Sequence, residues 1–368
     1  MHILLFHFDE SCPASVRQTF LLARELSAGT AGDVTLVCTA GGFLEREARS
    51  VDVPVLPVGG LTGKPLTLMR LVRVVRSREA SVLHCCDTAS AALVRQLKRL
   101  SGGRCRTVQT WRVMGGDAAR HVERVCRHAD AVLCHGEMVC DRLERHGVPR
   151  SRLFAVSPAV DAGHYAPRRP RGDGRCVFVV DAPLAASSGH GIVLAAMRLL
   201  ATMPGLPEWE VRLVGDGPDF ASLLATARQT GVDTHLAMLG TQDERRILPD
   251  ADVLLAPSLD GEHGADAIRA AWCVGLPAVA SSLDVHTGMV RHDETGLLVP
   301  VGDADALAAV MARLARDVAG DGAMAAGLVA GGRAEVLRRT PERLAAAHLD
   351  IYREQAGAVR RSLQSAGV

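Results

Sequence analysis

The chain has 368 residues, of which 48% are hydrophobic, 23% charged and 3% aromatic, with a net charge of +1. That length exceeds one ordinary core and predicts two domains of ordinary size, in the composition range of a soluble globular protein. A near-neutral total gives no global reason to invoke nucleic acid or a membrane, and no stretch approaches the length of a transmembrane helix.

In chain order, the apolar runs His2–His7, Val34–Cys38, Val82–Cys85, Arg106–Thr110, Ala131–Cys134 and Leu153–Val156 read as buried strands. The first begins at the N-terminus with no basic leader, so no secretory signal is expected there. Helical periodicity fills the gaps at Ala14–Ala28, Leu66–Arg78, Ala89–Ser101, Ala118–His128 and Glu137–His146. This alternation predicts right-handed crossovers and a parallel sheet.

Ala166 to Arg175 is rich in Pro, Arg and Gly, continues neither kind of element, and reads as a linker. The pattern then restarts. Cys176–Asp181, Glu210–Val214, His235–Leu239, Asp252–Ala256, Ala278–Ala280 and Gly296–Val299 are expected strands; Gly191–Thr202, Pro218–Gly231, Gly264–Cys273 and Asp303–Arg316 are expected helices. A final helix opens at Thr340-Pro341-Glu342, with a capping hydroxyl, a first-turn proline and an acid at the positive end.

The expected organisation is therefore a domain at 1–165, a linker at 166–175, a second domain at 176–340, and a helix at 341–368 returning to the first domain. Two doubly wound, Rossmann-like parallel-sheet domains would face an interdomain cleft, and ligands of open α/β sheets bind at the carboxyl edges of strands.

Charge is uneven along the chain. Residues 1–165 carry 22 Lys+Arg against 16 Asp+Glu, a net of +6, whereas residues 166–368 carry 20 against 25, a net of −5. A basic first half fits an anionic partner, such as a phosphate-bearing acceptor or a membrane surface; ordinary solvated helix faces are the equal alternative. The arginine face Arg70, Arg73, Arg76 and Arg78 has the same two readings. Ten cysteines sit mostly in or beside apolar runs, where a free thiol acts as a small hydrophobe. No His/Cys set has zinc spacing, so no metal is expected, and the thiols suit a cytoplasmic setting.

Three segments carry a family resemblance. They are Leu213-Val214-Gly215-Asp216-Gly217-Pro218; Ala251–Ser258 followed by Glu262 and Gly275-Leu276-Pro277-Ala278-Val279-Ala280; and Asp293–Asp303. Their order and spacing resemble family 4 glycosyltransferases, the group 1 enzymes of GT-B fold. Collinear support comes from Glu144–Asp161 and from Ile351-Tyr352-Arg353-Glu354.

The resemblance implies a GT-B architecture and a retaining transfer, without metal or cofactor, from a nucleoside-diphosphate sugar to an acceptor hydroxyl. It also implies a glycan or glycolipid acceptor, in cell-surface polysaccharide or lipopolysaccharide synthesis, in the cytoplasm or at the inner membrane face. No nucleic acid is implied. A peripheral membrane contact through the basic first domain remains one of the two readings above.

By the same resemblance Glu262 faces the transferred sugar, and its usual partner eight positions on is here Ala270. His263, Gly264, Ala265 and Asp266 form the loop and helix start beside it. The segment Asp181–Gly191 lacks the family's Arg and Lys; His190 lies near the Lys position and supplies positive charge only when protonated, and Ser187 and Ser188 with the amides of Gly189 and Gly191 are left to form a neutral anion nest. Ser15 is placed to cap the first helix with Arg17 one turn inside, and Arg112 takes the place of a histidine after the strand at 106–110. Gly215 and Gly240 belong to the donor side. The donor loop of the family reads here Asp284-Val285-His286-Thr287-Gly288. A shell retained for binding or partner stabilisation is the other reading of these departures.

Overall fold

Strands buried on both faces are written as unbroken apolar runs. In β1 (His2–His7) all six residues are buried. The computed structural model describes residues 1–29, 33–59, 65–77, 80–102, 105–111, 125–169, 173–260 and 264–365. The chain divides into two compact units, Met1–Ala159 with Arg339–Val368, and Val160–Arg338.

In the first unit β1 is joined by β2 (Val34–Thr39), β3 (Val55–Val58), β4 (Ala80–Cys85), β5 (Arg106–Trp111), β6 (Ala131–Cys134) and β7 (Leu153–Ala155). Among the described residues they form one parallel sheet in the order β3-β2-β1-β4-β5-β6-β7. The crossovers include α1 (Pro13–Ala28), α2 (Phe43–Ser50), α3 (Pro65–Ser77), α4 (Ala91–Leu100) and α5 (Glu137–Arg145). Expectation missed β3 and α2, which are short; only Leu44 and Ala48 of α2 are buried, one turn apart on a single face. The helix expected over Ala118–His128 falls largely outside the described residues.

The second unit contains β8 (Cys176–Asp181), β9 (Trp209–Val214), β10 (Leu236–Gly240), β11 (Val253–Ala256), β12 (Ala278–Ser281) and β13 (Leu297–Val299). Their order is β10-β9-β8-β11-β12-β13, again parallel. Its helices are α6 (His190–Leu200), α7 (Phe220–Thr230), α8 (Glu244–Ile247), α9 (Ala265–Val274), α10 (Asp284–Thr287), α11 (Ala304–Ala319) and α12 (Ala323–Leu337).

Sequence reading missed α12, because Gly327, Gly331 and Gly332 disguise its period. Packing accounts for two of these glycines. A Cβ on Gly331 would lie 2.1 Å from the Glu294 carbonyl oxygen, and one on Gly332 would lie 2.3 Å from Trp272. Last comes α13 (Pro341–Ser365), where the Thr340 hydroxyl accepts from the Arg343 N–H at 3.4 Å. Its Leu344, Ala345, Ile351 and Tyr352 belong to the apolar core of the first unit.

Arg168 and Arg169 of the segment expected as a linker are tied into the second unit. Arg168 N–H donates to Val274 O and Arg169 N–H to Pro249 O, both at 2.8 Å. The Arg168 guanidinium pairs with Asp252, a carboxylate 2% exposed that also accepts the Val177 N–H at 2.7 Å. Burying that carboxylate requires a cation beside it, so the basic segment is held where it would otherwise be expected to run free.

Candidate active site

In a sheet whose first strand lies between the second and the fourth, consecutive crossovers leave in opposite directions and open a crevice at the carboxyl ends. In the second unit that switch point lies between β8 and β11. After β8 the turn runs through Ala182–Gly189 into α6, and after β11 the chain continues through Pro257 and Ser258.

The two turns are laced together. Leu259 N–H donates to Ser187 O at 2.8 Å. At Gly189, φ is +78°, and a Cβ would sit 2.0 Å from the Pro257 carbonyl oxygen. Only glycine allows that approach in that conformation. The turn after β9 closes on the same region: Gly215, at φ +134°, would place a Cβ 2.2 Å from Ala182 O, and its N–H donates to Gly240 O at 2.9 Å. Gly215 and Gly240 therefore fix the backbone of the crevice wall.

Ser188 and His190 stand at the start of α6, where helix N–H groups lack intrahelical partners and the macrodipole is positive. Ser188 is 1% exposed, and its hydroxyl has no hydrogen-bond partner among the described residues. Burying a hydroxyl unpaired costs about 1–3 kcal/mol, which makes this a notable place to find one. His190 is buried, with Nε2 3.0 Å from Pro183 O, so that nitrogen carries the proton and faces its own turn.

Gly264 caps α9 at φ +100°, followed by Ala265 and Asp266. Asp266 is bonded to Arg269, whose Nη1 lies 3.9 Å from the Met289 sulfur. Ala270 is 1% exposed, inside the apolar layer with Ala267, Ile268, Ala271 and Trp272.

His286, to which sequence reading gave no role, is completely buried. Its Nδ1 donates to Ser281 O at 2.9 Å, leaving Nε2 as the acceptor, and a Cβ on Gly264 would come 2.9 Å from that Nε2. Its position in a segment that departs from the family pattern was the available signal. Ser258, quoted in the sequence only as the end of the Ala251–Ser258 motif, is 1% exposed. Glu262, His263 and Arg112 lie outside the described residues.

In the first unit the switch point lies between β1 and β4. Here α1 begins at Pro13, whose ring suits a first helical position, and Cys12 occupies the cap position without a side-chain bond. Ser15 is thus inside the first turn rather than at the cap; it is buried, and its carbonyl accepts the Thr19 hydroxyl at 3.1 Å. Arg17 is half-buried on the same helix. Asp87 accepts Phe8 N–H at 2.5 Å and Asp9 N–H at 2.8 Å on one oxygen, and Ser90 N–H at 2.8 Å on the other. That last bond is why α4 starts at Ala91 instead of Ala89. The Ser11 hydroxyl and N–H hold the Asp9 carboxyl below its usual range.

Behind this edge His84 bridges the sheet and α13. Its Nδ1 is 2.6 Å from the Tyr352 hydroxyl and its Nε2 2.7 Å from the Thr110 hydroxyl, all buried. His84 and Thr110 border a cavity of about 20 Å³, room for a single water, lined also by Gln18, Cys86, His135 and His348.

The family described as Glycosyltransferase Family 4 matches residues 15–164, and the one described as Glycosyl transferases group 1 matches residues 175–317. An exopolysaccharide phosphotransferase of Streptomyces coelicolor is 28% identical over 303 residues, 76% of this chain and 31% of that protein. A lipopolysaccharide core biosynthesis glycosyltransferase, LpsE of Rhizobium meliloti, is 27% identical over 197 residues, 52% of this chain and 55% of that protein. The chain thus spans between about a third and just over half of those relatives. Among solved structures, Anabaena HepE in complex with UDP and glucose superposes with a TM-score of 0.79 at 14% identity, over 95% of this chain and 99% of that one. At that identity the likeness is one of fold.

Proposed function

This chain belongs to glycosyltransferase family 4 and has its GT-B architecture, and from that premise we propose that it moves a sugar from a nucleoside-diphosphate sugar to a hydroxyl of a glycan or glycolipid. The reading extends to retention at the anomeric carbon, to independence from metal, and to cell-surface polysaccharide or lipopolysaccharide synthesis in the cytoplasm. Among the described residues no helix is long and apolar enough to cross a membrane.

The observation that carries the reading is the buried, unpartnered Ser188 hydroxyl at the N-terminus of α6, at the switch point of the second sheet. A diphosphate there would accept from that hydroxyl and from the first amides of α6, with the helix dipole favouring its charge. Departure of the nucleoside diphosphate is the step such donors stabilise, because negative charge grows on the leaving oxygen. The acceptor oxygen attacks on the face the diphosphate vacates. Glu262 holds the transferred sugar and Arg112 offers positive charge from the first unit; the roles of both come from the motif alone. UDP-sugar donors are the first to try, since HepE was solved with UDP and glucose.

A second reading is favoured by one feature. Residues 182–191 contain no Arg or Lys, and His190 directs Nε2 at Pro183 O. A shell with a lost donor site, kept for binding or partner stabilisation, would look like this. Calorimetry with UDP, GDP, ADP and their sugar conjugates, without metal, decides between the two. Saturable binding selective for one base is expected; no binding by any of them, from protein with a cooperative unfolding transition, would leave the second reading standing.

A further inference from the structure

Among the described residues of the second unit, Phe220 is the one Phe, Tyr or Trp that stands in the open. Phe178, Trp209 and Trp272 are buried and Tyr165 is half-buried, whereas Phe220 is 38% exposed and lies outside the apolar clusters. A single exposed apolar residue is ordinary, so its place decides what it means. Phe220 is the first residue of α7, past the carboxyl end of β9. Leu259 and Val301, also exposed, follow the carboxyl ends of β11 and β13. Leu337 at the end of α12 apart, the large apolar side chains this unit shows to solvent gather at the edge where its crevice opens.

Two features aim and fix the ring. At spacings of three and seven, Phe220 shares a helix face with Leu223 and Ala227, the buried residues of α7. Side chains of a helix lean toward its N-terminus, so at the first position that face overhangs the carboxyl edge of the sheet. The residues just before it are tied to the turn after β8. Asp219 N–H donates to Leu184 O and Leu184 N–H to Asp216 O, both at 3.0 Å, and a Cβ on Gly217 would lie 2.4 Å from Leu184 O. Leu184 and Ser188 belong to that one turn, so Phe220 keeps a fixed relation to the unpartnered Ser188 hydroxyl. Helices α6 and α7 also pack against each other. Axes in contact lie about 8–10 Å apart, of the order of the reach from a diphosphate across its ribose to the base.

A flat apolar ring at the rim of such a site matches either the π-face of a nucleobase or the C–H face of a sugar, and the strand order chooses. In the sheet β9 and β11 stand on opposite sides of β8. With the diphosphate over the turn after β8 and the transferred sugar on the β11 side, as the Glu262 motif requires, the nucleoside falls on the β9 side, beneath Phe220.

We propose that the Phe220 ring is the stacking platform for the nucleobase of the donor. The proposal rests on the donor-site reading above and adds to it the residue that grips the base.

Calorimetry of the full chain with UDP, GDP and ADP, and with inorganic pyrophosphate as the base-free probe, tests it. Truncating a stacked ring removes its hold on the base, so Phe220→Ala should weaken the nucleoside diphosphate that binds about tenfold, and Phe220→Tyr should stay close to wild type. Pyrophosphate affinity and the thermal transition should be the same in all three proteins, since the ring lies outside the core. Phe220→Trp gives a direct readout: nucleotide should quench its fluorescence and pyrophosphate should not. Wild type that binds a nucleoside diphosphate, with Phe220→Ala binding it equally, would overturn the proposal and leave the donor-site reading standing. A loss seen with UDP-glucose but absent with UDP would put the ring under the sugar and overturn it as well. No nucleotide binding by folded wild type would remove the donor site itself, and this proposal with it.

Discussion

Both sheets place their first strand beside their fourth, β1 next to β4 and β8 next to β11, yet the turns that follow are held by different chemistry. In the first unit carboxylates hold the edge. Asp87 gathers three backbone N–H groups, and Glu10 accepts from Phe43 N–H at 2.8 Å and Leu44 N–H at 3.0 Å at the start of α2. The positive end of that helix is therefore met by an acid from the chain itself. In the second unit glycines hold the edge, through backbone-to-backbone approach, and residues 182–192 at the start of α6 contain no charged side chain. The acids Asp87 and Glu10 oppose an anion at their own turns, whereas a neutral turn facing a helix dipole stays open to one. The same winding thus gives two turns of opposite preference.

The comparison breaks most readily at Gly189. With φ +78° and a Cβ 2.0 Å from Pro257 O, Gly189→Ala should cost about 3 kcal/mol by urea unfolding. Gly41→Ala, at φ +75° with open space around it, should cost only about 1 kcal/mol. Equal losses would show that approach between the two turns is not what holds the second edge. Next in size, Asp87→Ala strips three N–H groups of their acceptor and should cost about 2 kcal/mol while nucleotide affinity stays constant. A matching fall in affinity would mean that the first edge also serves the donor.

Ser188→Ala sharpens the contrast from the other side. A buried hydroxyl without a partner costs the free fold stability, so the thermal transition should hold or rise, while nucleoside-diphosphate affinity by calorimetry should fall about tenfold. Unchanged affinity would remove Ser188 from the donor site.

The smallest effect expected is on acid stability. Burial alone would raise Asp130, but bonds from Lys98 and from the Thr107 N–H and hydroxyl outweigh it and hold the carboxyl below its ordinary 3.8. A carboxyl depressed by folding adds stability that is fully present above that value and is lost as pH falls through the lower folded one. Asp130→Asn should flatten the acid limb of the unfolding curve below about pH 3.8, and an unaltered limb would show that the pairs there contribute little.

Much of the fold was legible because parallel strands must be apolar on both faces and their crossovers must be amphipathic. Strand His2–His7 and strand Cys176–Asp181 were expected with the bounds observed. The helix α12 was hidden, since its glycines answer to Glu294 and Trp272, residues far away in the chain. At the candidate site the Gly-rich segments were readable, because a tight turn demands glycine whatever surrounds it. The burial of His286 and Ser258 was not, because a histidine in a one-turn helix or a serine after a strand looks the same in sequence whether it is exposed or sealed in. Ser15 was misplaced by three positions, the proline before it having already begun the helix.

By itself, the sequence determined the strand–helix alternation, the doubly wound class and the uncharged turn after β8, all of which follow from local period and residue type. Only the tertiary structure decided which polar groups are buried and which find partners. It brings His84 to Tyr352 across 268 positions, leaves the Ser188 hydroxyl unanswered, and seats Glu10 at the start of α2. Those outcomes depend on segments far apart in the chain that meet only within a folded unit, and a local pattern carries no record of such meetings.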